Sequence, residues 1–169
     1  MYDPTAFDNM KVVLDGAAYD LDMSGEAVVK GRKDLIDLAT MSRNFSIRIA
    51  LTHFSNVSAE IRVDSTLEHI AAELLPAVGH LDQGAYVTIE FSWHVNQNQS
   101  LSYSQLIKQL WGPERIYEEI ERVSSHNGES KALIVSFNRL FTEAMMDDLL
   151  DVLHHVVKTL QKLDYRFFD

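Results

Sequence analysis

The sequence predicts an α+β fold: a mostly antiparallel sheet of five to seven strands, helices packed on one face, and a long C-terminal helix. Three observations carry this expectation. Segments 45–51, 59–63 and 85–95 alternate apolar and polar residues with period two, the pattern of strands with one buried face. The stretch from about 140 to 163 gathers Leu149, Leu153, Val156 and Leu160 on one broad helical arc. An apolar content of 46% over 169 residues is enough for one core without staples, so residues 1–169 read as a single domain.

Taken in order, 10–14 and 17–21 read as a hairpin around Asp15-Gly16, and 26–30 as a third strand after Ser24-Gly25. Residues 33–41 read as a short helix through Leu35, Ile36, Leu38 and Ala39. Strand 45–51 puts Phe45, Ile47, Ile49 and Leu51 inward, and strand 59–63 does the same with Ala59, Ile61 and Val63. Ser65 and Glu68 fit a capping box for a helix carrying Leu67, Ile70, Ala71 and Leu74, which Pro76 ends. Gln83-Gly84 marks a turn.

Strand 85–95 has the clearest alternation. Val87, Ile89, Phe91 and Trp93 face one way, while Tyr86, Thr88, Glu90, Ser92 and His94 face the other. After the polar loop 96–100, residues 102–111 form a helix closed by Gly112-Pro113. A second helix is expected over 114–125, with Ile116, Ile120 and Val123 inward and Glu118 paired to Arg122 at i, i+4. Asn127-Gly128 makes a turn, and 132–137, apolar on both faces, reads as a central strand.

The composition excludes several functions. The net charge is −10, and Lys30, Arg32 and Lys33 form the densest basic cluster, so neither a nucleic acid nor an anionic membrane surface is expected as partner. Cysteine is absent, which removes thiolate catalysis, disulfides and cysteine-based metal sites. The N-terminal residues Met1-Tyr2-Asp3-Pro4 show no basic and apolar leader, and the expected location is cytoplasmic. No cofactor is expected: no G-x-G-x-x-G, phosphate-loop or nucleophile-elbow pattern occurs.

The candidate ligand site is the polar row Tyr86, Thr88, Glu90, Ser92 and His94, with Arg48 from a neighbouring strand. Side chains in such a row repeat at about 7 Å, and Glu90 and His94 would act as an acid–base pair if a pocket formed over them. The ordinary alternatives are a solvated face laced by cross-strand ion pairs, or a dimer interface. A metal site built from His53 and His94 is a weaker expectation. It requires the two strand ends to meet, and the chain lacks the H-x-x-x-H spacing of a helical site. His154-His155 with Asp151 falls on the polar side of the last helix and reads as solvated.

Met145 and Met146, with the terminal aromatics Tyr165, Phe167 and Phe168, are the candidate interface residues, because flexible Met and clustered aromatics suit adaptable contacts. They lead to the expectation of a homodimer or another protein partner. The functional expectation is a cytosolic, non-catalytic binding or protein-interaction domain. The alternative is a small-molecule-binding protein or enzyme using Glu90 and His94 on the polar sheet face.

Overall fold

The computed structural model describes residues 5–74, 84–95 and 100–165. Its elements run α1 (Ala6–Ser24), β1 (Val28–Asp37), β2 (Ser42–Ala50), β3 (Val57–Ser65), α2 (Leu67–Leu74), β4 (Tyr86–His94), α3 (Ser100–Trp111), β5 (Ile116–Ser124), β6 (Gly128–Ser136), one 3-10 turn (Glu143–Met145) and α4 (Met146–Tyr165). The six strands form one sheet in the order β1-β2-β3-β4-β6-β5, and every neighbouring pair is antiparallel. The α+β class with a long C-terminal helix is therefore what the chain adopts.

The first element differs from expectation. Residues 10–14 and 17–21 belong to α1, not to a hairpin. Thr5 and Asp8 cap one another's backbone amides at its start, and Gly25, at φ 80°, closes its end. Phe7, Met10, Leu14, Ala18 and Leu21 are buried along one face. That helical stripe, sustained over about four turns, outweighs the local Asp15-Gly16 turn signal; one Gly costs a helix only about 1 kcal/mol.

Two edge strands account for the other differences. Residues 33–37 lie in β1 rather than in a helix, and 38–41 make the turn into β2. Asp37 accepts the Ala39 amide at 2.9 Å, and Met41 takes the left-handed conformation at φ 56°. At the opposite edge, 116–124 is β5 rather than a helix. Ile116 and Ile120 lie four apart, a spacing that fits one helix turn and two strand repeats equally. Asn127-Gly128 is the hairpin turn into β6, with Gly128 at φ 75°. Strand β6 has a neighbour on both sides, as its two-faced apolarity suggested.

The core lies between the sheet and helices α1, α3 and α4. Phe45, Ile47, Ile49, Ala59, Ile61, Ile89, Phe91 and Leu133 are fully buried on one sheet face. Their cross-strand partners stay in phase, as in Ile47–Ile61–Ile89–Val135. Trp111 links α3 to this layer and to α4. Its ring meets Phe91, Phe137 and His155 edge-on, and Nε1 donates to Thr159 Oγ1 at 3.1 Å. It thereby ties α3 to α4. Helix α2 stands apart at the start of β4, with His69 against the Tyr86 ring at 5.4 Å. Its cap is one residue later than expected: the His69 amide donates to Thr66 Oγ1, and the Thr66 amide to His69 Nδ1.

Gly84 is forced by a close approach. A bridge pairs Ala85 with Phe141 through two backbone hydrogen bonds of 2.9 and 2.8 Å. A Cβ on Gly84 would lie 2.3 Å from the Phe141 carbonyl oxygen, and φ is 132°. No helix of the described residues is long and apolar enough to cross a membrane. Pro76, Gln83 and the loop at 96–99 lie outside the described residues.

Candidate functional site on the open sheet face

The antiparallel register puts the expected polar row of β4 in the middle of the sheet face opposite α1, α3 and α4. Arg48, Glu60 and Glu90 stand side by side on β2, β3 and β4. One row further along come Ser58, Ser92 and Ala132, followed by His94, Ser130 and Arg122.

Charges on this face join in a ladder that spans five strands. Arg48 Nη2 donates to Glu60 Oε2 at 2.8 Å. Arg62 donates to both Glu60 and Glu90. Arg122 Nη2 donates to Glu90 Oε1 at 2.8 Å. Three guanidiniums thus hold two carboxylates. Glu90 is only 2% exposed, because the long arginine stems and heads lie over it. Burial pushes the Glu60 carboxyl up, but Arg62 and Arg48 outweigh this and hold it below its usual value. Burial likewise disfavours the Arg62 cation, yet Glu60 and Glu90 keep its pKa above the ordinary one.

Arg48 also donates through Nη1 to Ser58 Oγ and Ser92 Oγ, each at 3.1 Å, and the two hydroxyls lie 3.2 Å apart. Beside them is a cleft of about 250 Å³ lined by Arg48, Asn56, Ser58, Ser92, His94, Arg122 and Ser130, together with Trp93. Asn56 clamps the end of β4: its side chain donates to the His94 carbonyl and accepts the His94 amide.

Of the six residues expected from the sequence, Arg48, Ser92 and His94 line this cleft. Glu90 supports it from beneath through Arg122. Thr88 lies a row away, beside Arg62 and Ser136, and Tyr86 stands at the far end against His69. Glu90 and His94 do not form a pair. Four residues along one strand separate their Cα atoms by about 14 Å, and both Glu90 oxygens are taken by arginines.

Sequence reasoning placed Arg62 and Glu60 beside Arg48 as possible contributors to this face but missed Arg122. Arg62 and Glu60 were visible as outward residues of β3. Arg122 was hidden, because a helical reading of 114–125 pairs it with Glu118 instead of Glu90.

The ends of β2 and β4 point the same way, since β3 runs antiparallel between them. They are not adjacent, so His53 and His94 are held apart by a strand. His53 is exposed, and its carbonyl accepts from Lys30 Nζ at 3.0 Å. Among the described residues no group of three metal-ligating side chains is assembled. On α4, His155 hydrogen-bonds through Nε2 to the Leu110 carbonyl at 3.0 Å and stacks edge-on against Trp111, which makes it part of the packing. Met145 and Met146 are half-buried against the core. Tyr165 ends α4, and Phe167 and Phe168 lie outside the described residues.

Compared with known proteins, the chain matches no protein-family model, no curated protein and no solved structure.

Proposed function

We propose that this chain is a cytosolic, non-catalytic binding domain that takes its ligand on the sheet face opposite α1, α3 and α4. The observation that carries the reading is the ladder Arg48–Glu60–Arg62–Glu90–Arg122. It pre-arranges donors around a cleft, so little side-chain freedom is left to lose on binding. It also argues against acid–base chemistry. A general acid or base works best with a pKa near the working pH, whereas Glu60 is displaced below its usual range. Glu90 is enclosed by cations. The cytosolic setting rests on the sequence expectation alone.

A panel of small metabolites tests this, followed by the amide signals of the isotopically labelled chain. Binders are expected to shift Ser58, Ser92, His94, Arg122 and Ser130. Binders that shift only residues on the helical side, or compounds chemically altered by the protein, would sink the reading.

A homodimer is a second reading. Near its tip the β1–β2 hairpin exposes Leu35, Ile36, Leu38 and Met41, with Leu38 80% accessible, and exposed large apolar side chains suit a contact surface. Light scattering after size exclusion decides it. A species of twice the 19.3 kDa chain mass that Leu38→Asp dissociates supports the dimer; a monomer at all concentrations ends it.

A further inference from the structure

Three clefts of the described residues differ in the charge of their walls. Between α3 and β5–β6, a cleft of about 300 Å³ sets Lys108 and Lys131 against Glu119 and Glu121, and the four make two ion pairs. Between α3, the end of β6 and α4, a cleft of about 340 Å³ sets Arg115 and Arg139 against Asp148 and Asp151. Both are charge-balanced. The cleft on the open sheet face carries Arg48 and Arg122 and has no carboxylate in its wall. In a chain of net charge −10, a cleft walled by cations and hydroxyls runs against the composition.

Its donors are only partly used. Arg122 is half exposed and spends Nη2 on Glu90, and among the described residues its Nη1 and Nε have no partner. Ser58 and Ser92 accept from Arg48 and lie within hydrogen-bond reach of each other. One of their two hydroxyl hydrogens can be spent between them, and the other is left to donate outward. Ser130 stands directly across from both His94 and Arg122 in the ladder and adds a third hydroxyl to the wall. Glu90 and Glu60 hold the two guanidiniums from below, and their own oxygens point into those bonds rather than into the cleft. Glu118 shares this face but lies four residues along β5 from Arg122, away from the cleft.

We infer that this cleft binds a small organic anion through an oxyanion group, a phosphate monoester or a carboxylate. Arg122 and the serine hydroxyls are its donors, and Arg48 sets their positions. Planar guanidinium forks match both groups, and charge-assisted hydrogen bonds are about twice as strong as neutral ones. The inference rests on the proposal that this face is the binding face, and adds the class of ligand.

The test uses the full labelled chain at constant ionic strength, with inorganic phosphate and succinate as separate probes and sodium chloride as control. Saturable shifts are expected at the Ser58, Ser92, His94 and Ser130 amides and at the Arg122 Nε–H, with no equivalent in chloride. Saturation by phosphate alone assigns a phosphate ester, by succinate alone a carboxylate, and by both a general oxyanion site. Arg122→Gln and, independently, Ser130→Ala should weaken binding roughly tenfold or more for the arginine and severalfold for the serine. Arg115→Gln, in another cleft, should leave it unchanged. Ser130→Ala keeps the test decisive if Arg122→Gln loses structure. Shifts that chloride reproduces, or saturable shifts that survive both substitutions, overturn the inference. If neutral members of the metabolite panel move these same amides and neither anion does, the anion class fails while the binding face stands. If nothing moves them, both fail.

Discussion

Arg122 on the edge strand β5 reaches across β6 to donate to Glu90 on β4 at 2.8 Å. The two residues are 32 positions apart in sequence and two strands apart in the sheet. Ala132 lies between them on β6 and is itself buried; its small side chain leaves the arginine a path. The bond fastens the outer hairpin to the middle of the sheet and at the same time aims the rest of the guanidinium into the cleft.

Removing the carboxylate should therefore cost more than removing the cation. Glu90→Gln leaves two guanidiniums over a neutral amide, and the expected loss is about 1–3 kcal/mol in urea unfolding. Arg122→Gln, at a half-exposed site, should cost about 1 kcal/mol or less. A double-mutant cycle should return a coupling of about 0.5–1 kcal/mol. Purely additive losses would mean that the bond carries no stability.

Acid should loosen the ladder through Glu60. Its folded pKa lies below the ordinary carboxyl value of 4.5, so the ionised form is favoured by folding. That stability is fully present above the unfolded pKa and is lost as pH falls from about 4.5 through the lower folded value. Glu60→Gln should flatten the unfolding midpoint in this window. A mutant whose acid limb is unchanged would remove Glu60 from the account.

Asp164 should act with the opposite sign. Burial raises its folded pKa above 3.8, so its contribution is present below the unfolded pKa and lost as pH rises through the folded one. It also sits in the last turn of α4, where a negative charge opposes the helix dipole. Asp164→Asn should raise the neutral-pH midpoint, by about 0.5–1 kcal/mol, and leave the acid midpoint unaltered. A lower neutral-pH midpoint contradicts this.

The helical nature of α1 has a simple mutational signature. Met10 and Leu14 are fully buried, while Val12 is 68% exposed. In a strand all three would share one face. Leu14→Ala should cost about 2–5 kcal/mol, and Val12→Ala should change stability by less than about 0.5 kcal/mol. Equal losses at both sites would favour the hairpin.

Among the described glycines, Gly84 has the tightest surroundings. Gly84→Ala must place a Cβ against the Phe141 carbonyl at positive φ, and the expected loss is about 1–3 kcal/mol or more. A neutral effect in thermal unfolding would show that the Ala85–Phe141 bridge is easily displaced.

The amino-acid sequence alone determined the parts with one buried face. Strands β2, β3 and β4 alternate because one side packs on helices, and α3 and α4 carry stripes of the helical period, so class, inward residues and the polar row of β4 were all legible. The parts misread were those where burial leaves no period. Strands β1 and β5 are edges with mostly exposed side chains, so charge pairs and a few apolar residues fit a helix equally well. In α1, a local turn signal concealed a stripe visible only over its whole length. The site was half legible: Arg48, Ser92 and His94 were identified, with Glu60 and Arg62 on the same face, but Arg122 and Ser130 were not. Only the tertiary structure decided that β6 inserts between β4 and β5, because strand order depends on which surfaces the whole chain can bury together. That choice brings Arg122 to Glu90 and turns a row of polar residues into a cation-walled cleft.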